Sequence, residues 1–491
     1  MSSPSNSTTR VASAPVTKQA YVTFAVVGLA LLMASVDSTI VAVGLPWLLV
    51  DLKTNLALVG WTMTGYQFAQ GIIMPIAGRL SDEWGRKRLF LGSVALFTLA
   101  SIAAALAPNI YLLVLFRIIQ GIGGGTFLPS ATGIISDAFE DRRAQAIGMF
   151  GSIFPIGGII GPNIGGFILD HFSWRWIFFV NVPVGVLLLV LGSFVLTKGS
   201  ETVNANNRKM DGLGIGLFVG AVFSILYAIT NWANGASGWV TAALFVLGAV
   251  LFFLFVRHED RTSSPMLDMR LLRWRPFMAV NIYNFLFGAV VFGVVSFIPY
   301  YATTAYAMTP GQDGVLLTPR SITMIIASTV TSLFIIRFRY RVPMIAGVVM
   351  ISASLFFMSL GISDLNVLGV GIHTLALLAT VVAVMGIGMG VANPASNNAA
   401  LDLIPGKVAA ATGMRGMSRM VGGVLGTALV SLILSQFADK ARGMQTIYLG
   451  LAIVMLLIIP VVFFIPDTAA DRAHGRARVS YDGNGGSGNG G

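Results

Sequence analysis

Apolar windows of about 20 residues recur along this chain from Tyr21 to Ile465, each long enough to cross about 30 Å of hydrocarbon as a helix. Fourteen such windows can be laid down. They are too long and too continuously apolar for barrel strands, which show about ten residues of strict alternation. Composition agrees, since 55% of residues are hydrophobic, 10% are charged and the mean hydropathy is +0.81. The expected fold class is an all-α integral membrane protein.

A formal charge of +11 would suit a nucleic-acid partner if it were clustered, but the 31 Lys and Arg fall mostly in alternate loops and in the two tails. That is the positive-inside pattern, which excludes nucleic acid and places both termini in the cytoplasm of a multi-pass protein of the plasma (cell inner) membrane. Residues 1–19 are polar and carry no short apolar region before a cleavage site, so no cleaved signal peptide is expected. There is no cysteine, which rules out disulfides, thiolate metal sites and cysteine nucleophiles. Four His without metal spacing point to no metal ion and no cofactor. Two polar linkers, at 197–212 and 257–276, organise the windows. The chain reads as a cytoplasmic tail over 1–19, a six-helix bundle over 20–196, linkers and two extra spans over 197–276, a second six-helix bundle over 277–465, and a flexible tail over 466–491 ending in GNGGSGNGG.

Charges inside the apolar windows carry the chemistry. Asp37, in MASVDSTIVAVGLP, is read as the only carboxylate inside a span. Desolvation there disfavours its charged form while a nearby Arg restores it, so the residue is a proton-exchange site or a permanently ionised structural partner of Arg117. Arg117, in LVLFRIIQGIGGG, is a full charge within the fourth window and admits the same two readings, coupling or a structural salt bridge. GIGGG has no following Lys and is not a phosphate loop. Runs of Gly at 121–125, 157–166 and 386–390 provide faces for close helix approach.

These residues fall into motifs. GRLSDEWGRKRLF, at 78–90, resembles the loop signature of the major facilitator superfamily at Gly78, Leu80, Asp82, Gly85, Arg86 and Lys87, with Glu83 where that family has Arg. Leu113, Arg117, Gln120, Gly121 and Gly123 resemble its second motif. Gly148, Gly157, Gly161, Pro162, Gly165 and Gly166 resemble the antiporter motif of its drug-exporting branch. Asp37, Thr39, Ile40, Val41 and Pro46 resemble the first-span motif of the fourteen-span drug:proton antiporters, with Ala42 and Gly44 in place of the usual Asn and Ala. WRWIFFVNVPVG at 174–185 is similar to the same branch. The resemblance implies a major facilitator fold of two six-helix bundles plus two inserted helices, proton coupling through Asp37 and Arg117, and a cytoplasmic gating loop at Gly78, Asp82, Gly85, Arg86 and Lys87.

Residues expected to line a substrate cavity are Trp61, Tyr66, Gln67, Phe127, Phe154, Asn281, Tyr283, Phe287, Arg320, Arg415 and Arg419. Arg415 and Arg419 lie one helical turn apart on one face. If that face lines the cavity it favours anionic or zwitterionic solutes; otherwise the two satisfy backbone carbonyls or snorkel. The expected function is proton-coupled efflux of hydrophobic drugs or toxic compounds by alternating access, by a monomer whose partners are small hydrophobic solutes, protons and the bilayer. The alternatives are export or import of a specific metabolite or lipid, a polytopic membrane enzyme, or a non-transporting sensor. Cysteines introduced at Ser5 and Ser480 are expected to react with an impermeant maleimide only from the cytoplasmic side. Labelling of either from outside overturns the even span count.

Overall fold

A computed structural model of the protein describes residues 17–139, 146, 149–150, 153–196, 211–262, 267, 269–363, 365–367, 370–404 and 408–467. The long helices are α1 (Lys18–Asp51), α2 (Leu56–Trp84), α3 (Arg86–Ala105), α4 (Ile110–Ala138), α5 (Ile153–His171), α6 (Trp176–Val195) and α7 (Gly212–Ala233). They continue with α8 (Gly238–Glu259), α9 (Arg275–Tyr306), α10 (Pro310–Phe338), α11 (Arg341–Ser359), α12 (Thr374–Leu403), α13 (Val408–Ser435) and α14 (Lys440–Val462). Side-chain caps start several of them: Asn55 and Asn109 accept from the third backbone N–H of α2 and α4, and Thr309 with Gln312 closes a capping box on α10.

Fourteen long helices stand where fourteen apolar windows are expected. Among the described residues thirteen of them are apolar as well as long enough to span a membrane. The exception is α2, whose 29 residues suffice in length but whose Thr62, Thr64, Gln67 and Gln70 face the protein interior, where apolarity is not required. One sequence expectation needs correction: the twelfth window, expected to be helical over 366–393, begins instead in an antiparallel hairpin, β1 (Leu365–Val367) and β2 (Val370–Ile372), before α12 starts.

Successive helices alternate in direction, so the described ends of the chain and the turns at Gly85 and Arg339 share one face, called here the terminal face. Glycines set the packing. On α4, Gly121 and Gly125 lie against Tyr66 and Gln70 of α2, while Gly123 lies against Ser93 and Phe97 of α3. On α12, Gly386 and Gly390 lie against Arg320 and Met324 of α10, while Gly388 lies against Gly347 of α11. Gly157 and Gly161 of α5 rest on α1, and Gly422 and Gly426 of α13 rest on α9. Positions 121, 123, 125, 157 and 161 thus correspond at a constant offset to 386, 388, 390, 422 and 426. The second six helices repeat the first.

The two halves meet along two seams that this repeat relates to each other, α5 against α10 and α2 against α13. Gly166 touches the backbone of Pro310, Gly314 touches Pro162, and Asn163 donates to Thr318 at 2.6 Å. Gly60 faces Ser431, whose hydroxyl donates to the Leu56 carbonyl at 3.1 Å, and Gly71 faces Met420. The contacts of Gly60, Asn163, Gly166 and Gly314 lie in the halves of the helices away from the terminal face, and Gly71 meets Met420 at mid-helix. Toward the terminal face, Gly413 and Gly416 of α13 have no described atom within 4 Å of where a Cβ would stand. The pair α7–α8 docks on one seam: Trp61 of α2 donates to Thr230 of α7 at 2.6 Å, and Phe218, Leu226 and Phe255 cluster with Met417 and Val424 of α13.

The motif glycines of α5 therefore serve two faces. Gly157, Gly161 and Gly165 pack within the first bundle, whereas Gly158, Pro162 and Gly166 face α10 across the seam. Gly148 lies outside the described residues. Because the chain lacks cysteine, a single Thr318→Cys reports seam closure cleanly. It is expected to be protected from an impermeant maleimide added at the face opposite the termini, and to become reactive when Gly166→Leu wedges the seam. Equal reactivity in both backgrounds overturns the assignment of Gly166 to a closing seam.

Candidate functional site

Asp37 on α1 and Arg117 on α4 are both fully buried and form an ion pair, Arg117 Nη1 to Asp37 Oδ2 at 2.6 Å. Gln120 Nε2 and Asn181 Nδ2 donate to the other carboxylate oxygen at 2.9 Å and 2.8 Å. Gln120 also donates to Ser101 and accepts from Arg117, at 2.8 Å and 2.7 Å. The Arg117 Nε donates to the Thr62 carbonyl at 2.9 Å, and its guanidinium lies over the Tyr66 ring at 4.1 Å from the centroid. Helices α1, α2, α3, α4 and α6 thus converge on one charge pair. Three donors, from α4 and α6, meet on the one carboxylate.

Gln120 was visible in the sequence as a motif match and Asn181 as a polar residue in WRWIFFVNVPVG. Neither was singled out as a partner of Asp37, because nothing in the linear chain says that α3 and α6 close on α1. Asp313, one turn into α10, corrects the reading that Asp37 is alone. It is fully buried, one oxygen accepts from Thr303 at 2.8 Å, and the other has no partner among the described residues.

The segment expected to gate the cytoplasmic side contains a one-residue turn. Helix α2 runs through Gly78 and Asp82 to Trp84, Gly85 alone separates it from α3, and its φ of +86° suits glycine. The Asp82 side chain lies outside the described residues. Arg86 donates to Asp137 and to the Gly133 carbonyl near the end of α4, and Lys87 donates to the carbonyls of Ser193 and Leu196 at the end of α6. Cations at helix C-termini offset the exposed carbonyl dipoles. The second half repeats this device where IIRFRYRVP shows no motif. Arg339 turns with φ +59°, Tyr340 donates to Asp402 near the end of α12, and Arg341 donates to the Ile465 and Phe463 carbonyls beyond α14. Asp402 stands at the position equivalent to Asp137.

A sequence profile described as Major Facilitator Superfamily matches residues 27–211 and 280–481. The chain belongs to the Major Facilitator Superfamily. Its similar relatives include a multidrug resistance protein B homolog of Mycobacterium tuberculosis, 32% identical over 83% of this chain and 75% of that protein. Another is the tetracenomycin C resistance and export protein of Streptomyces glaucescens, 30% identical over 85% of this chain and 77% of that one. The multidrug efflux pump LfrA of Mycolicibacterium smegmatis is 30% identical over 85% and 82%. Among solved structures, the inward-open xylose transporter XylE of E. coli superposes with a TM-score of 0.62 at 13% identity, over 91% of this chain and 97% of that one. The nucleoside transporter NupG gives 0.65 at 14%, over 90% and 100%. Those likenesses show the fold. Membership in this superfamily makes the chain a transporter, not an enzyme.

The facilitator fold separates the cavity residues expected above. Trp61 faces α7, Tyr66 lies beneath Arg117, and Phe127 packs with Phe90 and Phe97 inside the first bundle. Gln67 is nearly buried, with a side-chain oxygen lacking a partner among the described residues, and Phe154 is 41% exposed. Arg320 reaches the seam at Gly158. Asn281, Tyr283, Phe287, Arg415 and Arg419 do come together: Ser418 donates to Asn281 at 2.9 Å, Tyr283 stacks on Phe287, and Arg419 lies over Phe287 at 4.9 Å.

Breaking a buried ion pair strands a charge and costs about 3–5 kcal/mol. Asp37→Asn and Arg117→Gln are each expected to lower the thermal midpoint in detergent, while the double variant regains much of the loss. Strictly additive losses in this cycle overturn the pair as the organising interaction of the first bundle.

Proposed function

We propose that this facilitator exports hydrophobic small molecules against proton entry, by alternating access, as a monomer in the plasma membrane with both termini in the cytoplasm. The observation that carries the reading is the one-sided seam: glycine-lined contacts between the halves close the face opposite the termini, while α13 meets open space toward the terminal face. Such an arrangement offers a cavity to one side at a time. The direction rests on the relatives, whose names record multidrug resistance, efflux and export. The placement of the termini rests on the basic residues of the terminal face, Arg86, Lys87, Arg273 and Arg341 among them. The energy source is the proton gradient, and no cofactor is required.

Coupling through Asp37 follows from its network. In the seam-closed state the carboxylate accepts from Arg117, Gln120 and Asn181, and movement of α1 against α4 or α6 changes which of these donors it keeps. Acid-inside proteoliposomes are expected to accumulate a hydrophobic fluorophore as protons leave. The accumulation should collapse with a protonophore and fall at least tenfold in the Asp37→Asn, Arg117→Gln double variant, which avoids the stranded charge. Gradient-independent equilibration by the native protein overturns proton-coupled transport, and full accumulation by the double variant overturns the role of Asp37.

A further inference from the structure

The two halves treat buried cations differently. Arg117 has Asp37, but Arg320, Arg415 and Arg419 form no ion pair among the described residues. Their side-chain hydrogen-bond partners among the described residues are neutral: Arg415 donates to Asn284 of α9 at 3.3 Å, Arg419 to Asn393 of α12, and Arg320 to its neighbour Ser321 at 3.3 Å. The Nε of each is buried without a partner among the described residues. An amide can orient a guanidinium but cannot neutralise it, and a guanidinium carries five donors in a planar fork. Two like charges one turn apart also repel.

Among the described residues no nearby acid supplies the missing charge. Asp37 is already committed to Arg117, and Asp313 lies two turns along α10 from Arg320, about 10 Å, with its hydrogen bond to Thr303. Asp137, Asp170, Asp211 and Asp402 sit at the two faces, hydrogen-bonded there to Arg86, Gly311, His258 and Tyr340. Arg419 is eleven residues into α13, about 16 Å from its start, too deep for a lipid headgroup at the membrane face. Arg415 and Arg419 are themselves only half-buried, and Gly416 between them borders open space among the described residues. The Phe287 ring under Arg419 adds an aromatic wall. Across the pseudo-two-fold, the position equivalent to Arg419 on α5 is Phe154, which is 41% exposed.

We infer that Arg415 and Arg419, oriented by Asn284 and Asn393 over Phe287, form an anion-binding subsite in the central cavity, and that the solutes carried are aromatic organic acids bearing a carboxylate or sulfonate. This rests on the export reading for its direction, not for its binding chemistry. An oxyanion meets the free donors and relieves the repulsion between the two cations, whereas a lipophilic cation aggravates it.

The test is equilibrium binding without any gradient, in nanodiscs of phosphatidylcholine, using radiolabelled naphthalene-2-sulfonate and trimethyl(2-naphthyl)ammonium, which share one aryl body. Wild type is expected to bind the sulfonate at least tenfold tighter. Arg415→Gln or Arg419→Gln should weaken sulfonate binding about tenfold to a hundredfold and abolish the preference, while Arg419→Lys keeps part of it. Equal or tighter binding of the ammonium by wild type overturns the proposal, as does a preference that survives both Gln variants. The wild-type comparison decides even if a Gln variant fails to fold. Sulfonate-selective binding without gradient-driven export would support the subsite and overturn the export reading alone.

Discussion

Within hydrocarbon no water completes an open backbone group and no hydrophobic force draws helices together, so every association in this protein depends on how closely helix backbones can approach. Glycine sets that distance. A side chain at Gly121 would collide with the Tyr66 carbonyl, and one at Gly386 with the Arg320 carbonyl. These contacts insert α4 between α2 and α3, and α12 between α10 and α11. Once the fourth helix of each half is so placed, the polar groups it carries fall at the bundle centre. Arg117 reaches Asp37 because Gly121 and Gly125 bring α4 against α2, and Gly157 and Gly161 bring α5 against α1.

The same packing rule acts between the halves with a different outcome. Within a bundle the glycine contacts are continuous and hold a buried charge network that would be costly to open. At the seams they run from the face opposite the termini only as far as mid-helix, and the polar links across them include Asn163 to Thr318, Asp170 to the Gly311 amide and Ser431 to the Leu56 carbonyl. Rigid bundles joined by smooth, lightly bonded faces can rock as units. The turns at Gly85 and Arg339 tie helix ends together within each bundle on the terminal face, which keeps each half rigid during such motion.

Charge breaks the symmetry that the backbones keep. The position of Arg117 in the first half corresponds to Val382 in the second, so the inherited ion pair has no counterpart there. Arg415 and Arg419 occupy positions where the first half has Phe150 and Phe154. One half of the molecule therefore holds a neutralised, inward-facing pair. The other holds Arg415 and Arg419, whose hydrogen-bond partners among the described residues are amides.

Much of this was legible in the chain. Hydropathy displays the spans because a buried helix must be apolar wherever it meets lipid, and the motifs marked Asp37, Arg117 and the α5 glycines. The same rule mistakes the apolar β1–β2 hairpin for the start of a helix. It also hides the second-half turn, since Tyr340 and Asp402 perform by hydrogen bonding what Arg86 and Asp137 perform by charge. By itself the sequence determined that this is a helical membrane protein of facilitator type with ionisable groups inside it, since composition and spacing follow from the solvent each residue must meet. Which donors surround Asp37, which glycine face meets which neighbour, and which cations lack a counter-ion were decided only by the tertiary structure. Those properties belong to pairs of residues brought together from distant helices, and a linear pattern records the members of a pair without their meeting.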